Sequence, residues 1–190
     1  MKRRYAAVLD ACVLVPMPLA DTLLRLAEPP ALFEARWTDD ILTEVTRTLE
    51  GRFGKSPEQA RYREAAMREF FPDALVHDYA GLVPEMRNHP KDRHVLAAAV
   101  ACQANYLVTF NLRDFPVKAV DEFQVAVVGP STFLKELWAL DQTVVGARLQ
   151  QQPAAIGISS DHLLSRLAKL VPGFVKVMGV EQSLGRGCDC

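Results

Sequence analysis

The stretch that most constrains this chain is Tyr5-Ala6-Ala7-Val8-Leu9-Asp10, a short apolar run that ends abruptly in a carboxylate. A run of that length predicts a buried strand, with Asp10 at its C-terminal end. In open α/β sheets ligands bind at that end. One acid there serves equally well as a helix cap or turn former. Three later segments can carry further acids to the same edge, through Glu44, Asp92 and Asp114.

The remaining pattern supports such a sheet. Leu19, Leu23, Leu24 and Leu26 mark an amphipathic helix that Pro29-Pro30 stops. Leu32 to Trp37 is ambiguous between a strand and a helical turn. Thr38-Asp39-Asp40 is an N-cap cluster opening a helix to about Phe53, with Ile41, Leu42, Val45 and Leu49 on its apolar stripe and Glu44 at the border. Ser56-Pro57 opens a highly charged helix, most simply a solvated face. Ala74 to His77 is a short strand candidate. Asp92 starts an alanine-rich helix, where capping is its simplest role. Tyr106–Thr109 and Gln124–Val128 are further strands, and Ser131-Thr132 starts a helix through Leu140. Strands alternating with helices predict an α/β fold, a three-layer α/β/α sandwich around a parallel sheet. Right-handed crossovers would bring the strand ends to one edge.

From about Asp141 the character changes. Gln150-Gln151-Gln152-Pro153 suggests a hinge, Ser159-Ser160-Asp161 caps an amphipathic helix, and Phe174–Met178 is a short apolar piece. The expected division is an α/β domain over residues 1–145 and a helical extension over residues 146–190, ending in a flexible tail.

Composition narrows the function classes. The chain has 190 residues, enough for one sizeable core. Its formal net charge of -1 provides no global attraction to nucleic acid, so RNA binding would need a local basic face or metal ions. No stretch approaches the roughly 20 apolar residues of a membrane span, and Asp10 breaks the only run resembling a signal peptide. A cytoplasmic location is expected. Cys12, Cys102, Cys188 and Cys190 make neither zinc-type spacing nor a disulfide framework; Cys12 and Cys102 are expected to be reduced core residues.

Four carboxylates gathered at one edge repel one another unless a divalent cation lies among them. Oxygen donors select Mg²⁺ or Mn²⁺ over zinc. Water bound to such an ion can attack a phosphodiester. Spacing alone does not show that the fold gathers the acids.

The residues also resemble a known family. Val8-Leu9-Asp10, Ile41-Leu42-Thr43-Glu44-Val45, Lys91-Asp92-Arg93-His94-Val95-Leu96-Ala97-Ala98-Ala99 and Leu107-Val108-Thr109-Phe110-Asn111-Leu112-Arg113-Asp114-Phe115-Pro116 occur in the order and spacing of PIN domains. Over residues 5–140 the chain resembles the VapC-like toxin ribonucleases of bacterial toxin–antitoxin pairs. The resemblance implies metal-dependent endonucleolytic cleavage of RNA, with Asp10, Glu44, Asp92 and Asp114 as the catalytic acids. Asp10, Asp92 and Asp114 would hold Mg²⁺ or Mn²⁺, and Thr109 and Asn111 match polar positions beside the metal. It also implies a cognate antitoxin and a homodimer. The C-terminal segment resembles the extension of a subset of these toxins.

One departure stands out. Where relatives often carry acids, this chain reads His89-Pro90-Lys91-Asp92-Arg93-His94. The loss of negative charge at His89 and Lys91 should weaken metal affinity. Lys91 is then a candidate for an RNA phosphate, and Arg93 for RNA or a nearby acid. The alternative function is a non-catalytic RNA-binding or antitoxin-binding module of the same fold. A phosphatase of the haloacid-dehalogenase type is set aside, because it needs an acid two residues after Asp10, where Cys12 stands.

Overall fold

The computed structural model describes residues 5–185, with side chains described as far as residue 179. The Cys188 and Cys190 tail lies outside the described residues. In chain order the regular elements are β1 (Tyr5–Leu9), α1 (Ala11–Leu14), α2 (Met17–Ala27), β2 (Phe33–Arg36), α3 (Asp39–Phe53), α4 (Pro57–Phe70), α5 (Arg93–Ala101), β3 (Tyr106–Val108), α6 (Val117–Val120), β4 (Ala126–Val128), α7 (Pro130–Leu140), α8 (Gln142–Ile156), α9 (Ser160–Leu170) and α10 (Pro172–Gly185). Short 3₁₀ turns lie at Pro72–Ala74, Ala80–Glu85, Pro90–Asp92, Leu112–Asp114 and Asp121–Phe123.

The strands form one sheet in the order β2-β1-β3-β4. Every neighbouring pair is parallel. With helices in the connections, this is the α/β architecture expected from the sequence. Parallel strands buried on both faces read as continuous apolar runs; Ala7, Val8, Leu9, Leu107 and Val108 are fully buried. The register pairs Leu9 with Val108, so the next residues of the two strands, Asp10 and Thr109, stand side by side. Main-chain bonds continue the ladder there: Asp10 N–H donates to Val108 O at 3.1 Å, and Thr109 N–H to Val128 O at 3.0 Å.

The chain divides into two compact units, one of residues 1–16 and 33–129, the other of residues 17–32 and 130–190. The first contains the sheet. In it α5 packs on β1 and β3, and α3 packs on α1 and α4. Thr38 caps α3, its hydroxyl accepting from Ile41 N–H at 3.1 Å, and Gly54 ends the helix with φ +61°. A residue with a Cβ would be strained in that left-handed conformation. Ser56 and Gln59 form a reciprocal capping box at α4. The charged face of α4 is solvated in part only: Arg68 bridges Asp39 and Glu64, and the Arg63 guanidinium donates to the carbonyls of Leu14 and Val15.

The second unit is helical. Within it α2 packs on α8 and α9, and α10 on α7 and α9, around Leu19, Leu23, Leu26, Phe133, Leu137, Leu163, Leu167 and Phe174.

Three local expectations are corrected. Residues 74–77 form no strand; Leu75 makes a single bridge to Trp37, because the Pro72–Ala74 turn leaves little extended chain. The Gln150–Pro153 stretch continues α8. Gln152 is fully buried there, its amide oxygen accepting from Thr22 Oγ1 at 2.8 Å and its amide nitrogen donating to Pro18 O at 2.9 Å. Phe174–Met178 lies within α10.

Candidate functional site

Asp10 follows β1 directly and is 2% exposed. It precedes α1, yet its carboxylate makes no capping bond. Instead Oδ2 accepts from Thr109 Oγ1 at 2.6 Å and from the Cys12 thiol at 3.1 Å. Thr109, fully buried, accepts in turn from Asn111 N–H at 3.0 Å. Cys12 Sγ also lies 3.3 Å from Thr109 Oγ1 and accepts from Phe110 N–H at 3.2 Å. Burial and then the charge of Asp10 push the Cys12 thiol up to about 12. At neutral pH it is therefore a neutral donor to Asp10.

Asp92 and Asp114 meet in the loops after the Ala80–Glu85 turn and after β3. His89 N–H donates to Asp114 O and Asp92 N–H to His89 O, each at 2.9 Å. These ties bring three side chains together. One ring nitrogen of His89 and one carboxylate oxygen each of Asp92 and Asp114 lie within 4.8 Å of one another. His89 Nδ1 stands 3.7 Å from Asp92 Oδ2. Asp92 precedes α5 but makes no side-chain cap bond, so the capping role expected of it is unused.

Glu44 comes from α3, four residues past the cap cluster. The cap bond belongs to Thr38. Glu44 Oε1 instead faces His94 Nε2 at 3.5 Å. That approach is electrostatic rather than a formed hydrogen bond, since the buried Nε2 makes none among the described residues.

Charge coupling joins these groups. Burial raises the Asp92 carboxyl above its ordinary range, and the charges of Asp10 and Asp114 add to the rise, with His89 and His94 partly offsetting it. Glu44 is raised by burial too; His94 opposes the rise, while Asp10, Asp92 and Asp40 reinforce it. Asp92 thus feels the charges of Asp10 and Asp114, and Glu44 those of Asp10 and Asp92. The fold sets Asp10 at the C-terminal end of β1 beside Thr109, groups Asp92 and Asp114 with His89, and turns Glu44 towards His94.

The other expected residues are placed differently. Asn111 is exposed and takes part through its main-chain N–H. Lys91 is exposed. Arg93 Nε donates to the Asn88 carbonyl at 3.4 Å, a main-chain partner that neither expectation for it included. Two contributors went unrecognised in the sequence. Cys12 was read as an apolar core residue, although its place two residues after Asp10 marks it as a neighbour of that carboxylate. His89 was read as a lost acid, although imidazole is itself a donor.

The donor set suits a divalent cation. Carboxylate oxygens predominate, one imidazole joins them, and the charge concentration that burial makes costly is what a cation relieves.

Residues 6–113 match the family model described as PIN domain. Over 104 residues the chain is 46% identical to "Putative ribonuclease VapC50" of Mycobacterium tuberculosis, a match covering 53% of this chain and 62% of that protein. The chain thus spans less than two thirds of that relative. No solved structure matches. The family model takes in β1 with Asp10, α3 with Glu44, α5 with Asp92 before it, and β3; on that match the chain belongs to the PIN-domain family.

Proposed function

We propose that the chain is a divalent-metal-dependent endoribonuclease, the toxin of a toxin–antitoxin pair, which hydrolyses RNA phosphodiesters. The observation that carries this reading is the cluster of Asp92, Asp114 and His89, their ligand atoms within 4.8 Å of one another, with the buried Asp10 held by Thr109 at the end of β1. In this reading Asp10, Asp92 and Asp114 hold Mg²⁺ or Mn²⁺. When bound, the ion supplies an activated water and offsets charge developing on the phosphate oxygens.

The remaining chemistry belongs to the chain. Thr109 and Cys12 fix the Asp10 carboxylate by two donated hydrogen bonds, so it needs no reorganisation on binding a cation. Burial makes Glu44 a stronger base than an ordinary carboxylate, suited to take a proton at Oε1 or Oε2. Lys91, exposed beside Asp92, meets an RNA phosphate, with Arg93 and Asn111 in support. A cognate antitoxin, a homodimer and a cytoplasmic location belong to the same proposal, as does residues 146–190 acting as an accessory extension. No helix among the described residues is long and apolar enough to cross a membrane.

The deciding experiment is digestion of a total-RNA pool by purified protein with Mg²⁺, Mn²⁺ or EDTA, with Asp10→Asn alongside. Metal-dependent fragments absent from the variant are expected. If partner-free protein, its purity checked by mass spectrometry, cleaves nothing, the non-catalytic binding module replaces the nuclease.

A further inference from the structure

The loop that opens α5 presents His89 where charge counting alone would see a weakened metal site. We propose that His89 is a metal ligand, and that its nitrogen makes this centre select a first-row transition ion such as Mn²⁺ over Mg²⁺. The inference rests on the metal-site reading above but concerns which ion is held and by which atom.

Geometry is the first argument. Ligand atoms on one octahedral ion, at about 2.1 Å from it, stand about 3 Å apart at right angles and about 4.2 Å apart when opposite. The His89–Asp92 separation of 3.7 Å falls inside that range, and the whole trio, within 4.8 Å, is little beyond it. The three side chains must draw closer together to meet one ion. The main chain already holds the three together: His89 bonds by its N–H to Asp114 and by its carbonyl to Asp92.

Availability is the second. His89 Nδ1 takes only a long contact of 3.4 Å from Lys91 N–H. A bond of that length competes weakly for the lone pair. The ring is half exposed, 47%, so a hydrated cation can reach it without the loop opening.

Donor chemistry is the third. Mg²⁺ favours oxygen and gives up water reluctantly, whereas a nitrogen donor adds affinity for first-row transition ions, least for Mn²⁺ and increasingly towards Cu²⁺. Exchanging a carboxylate for an imidazole at this position removes one negative charge, which weakens binding of every divalent ion, and adds a nitrogen, which recovers affinity for transition ions only. The net effect is a change of selectivity.

The test is a binding measurement on the full chain without RNA. Mn²⁺ is titrated by electron paramagnetic resonance and Mg²⁺ by calorimetry at neutral pH, for the native protein and for His89→Ala, His89→Asp and His94→Ala. Electron spin-echo modulation of bound Mn²⁺ reports a directly coordinated ¹⁴N. The native protein and His94→Ala are expected to show that modulation, and His89→Ala and His89→Asp to lack it. Mn²⁺ affinity should fall about tenfold or more in His89→Ala, with Mg²⁺ affinity changed less than about twofold, and His89→Asp should move the preference towards Mg²⁺. Thermal melts of each variant establish that it is folded. The inference is overturned if native protein binds no Mn²⁺, if its Mn²⁺ shows no ¹⁴N modulation, if the modulation survives His89→Ala and vanishes in His94→Ala, or if the Mn²⁺-to-Mg²⁺ preference is the same in all four. Mn²⁺ held through His89 by a protein that cleaves no RNA would sink the nuclease reading alone. Cleavage of RNA with Mg²⁺ and no nitrogen on Mn²⁺ would sink this inference alone.

Discussion

Asp10 is a buried carboxylate whose orientation depends on two uncommon partners, a threonine hydroxyl and a cysteine thiol. Of the two the hydroxyl bond is the shorter, at 2.6 Å, and its donor is fully buried. Thr109→Val keeps the volume and removes that donor, and it also strands the Asn111 N–H. A destabilisation of about 1–3 kcal/mol in urea melts is expected, together with weaker divalent-cation binding. Unchanged stability would mean that a water replaces the hydroxyl. At the same scale, the Lys91 side chain is exposed, and only its main-chain N–H touches the cluster, at His89. Lys91→Ala should weaken RNA binding and lower its salt slope by about one, with little change in metal affinity; the reverse ranking would assign Lys91 to the metal.

Elements decide which acids can meet. Glu44 reaches the edge only because α3 starts where it does, and that start is set by Thr38. Thr38→Ala should cost about 1 kcal/mol, and a larger fall in cleavage than in stability would show that Glu44 had shifted. Elements were also where the sequence was most and least readable. Helices α3 and α4 announce themselves through Thr38, Ser56-Pro57 and an apolar stripe, all local signals. So does β1, whose run ends at Asp10. The triple glutamine looked like a hinge because nothing local shows that Gln152 bonds residues 130 and 134 positions away. The partners of Cys12 and His89 were hidden for a related reason: hydropathy does not show which side chain a residue will meet. Spacing named the four acids, but the register that sets Asp10 beside Thr109 is a property of the assembled sheet.

For the molecule as a whole, the acidic edge is a liability that a cation relieves. Asp92 and Glu44 both hold their protons more tightly folded than unfolded. Below the ordinary values of 3.8 and 4.5 both states are protonated and the edge carries no penalty. As pH rises from those values to the raised folded ones, the unfolded state gives up its protons while the folded state still holds them, so stability is lost until the folded groups ionise too. In EDTA, Asp92→Asn should therefore melt higher than the native protein at about pH 7 and no higher below the ordinary carboxyl range. Added Mn²⁺ should raise the native melting point more than that of the variant. Scanning calorimetry in both conditions checks the sign. A variant that melts lower throughout would make Asp92 structural.

The pairing of β1 with β3 has a bearing on synthesis. Asp10 is made early, but its partner Thr109 lies 99 residues later, and Thr109 is in turn tied to Val128 on β4. Contacts so distant in sequence close late, after the intervening chain has been ordered. Asp92 and Asp114 are likewise separated by α5 and β3. A nascent chain that stops short of β3 therefore carries Asp10, Glu44 and Asp92 without Thr109 or Asp114. More than half of the 190 residues are thus in place before the Asp10 carboxylate can meet its hydroxyl donor.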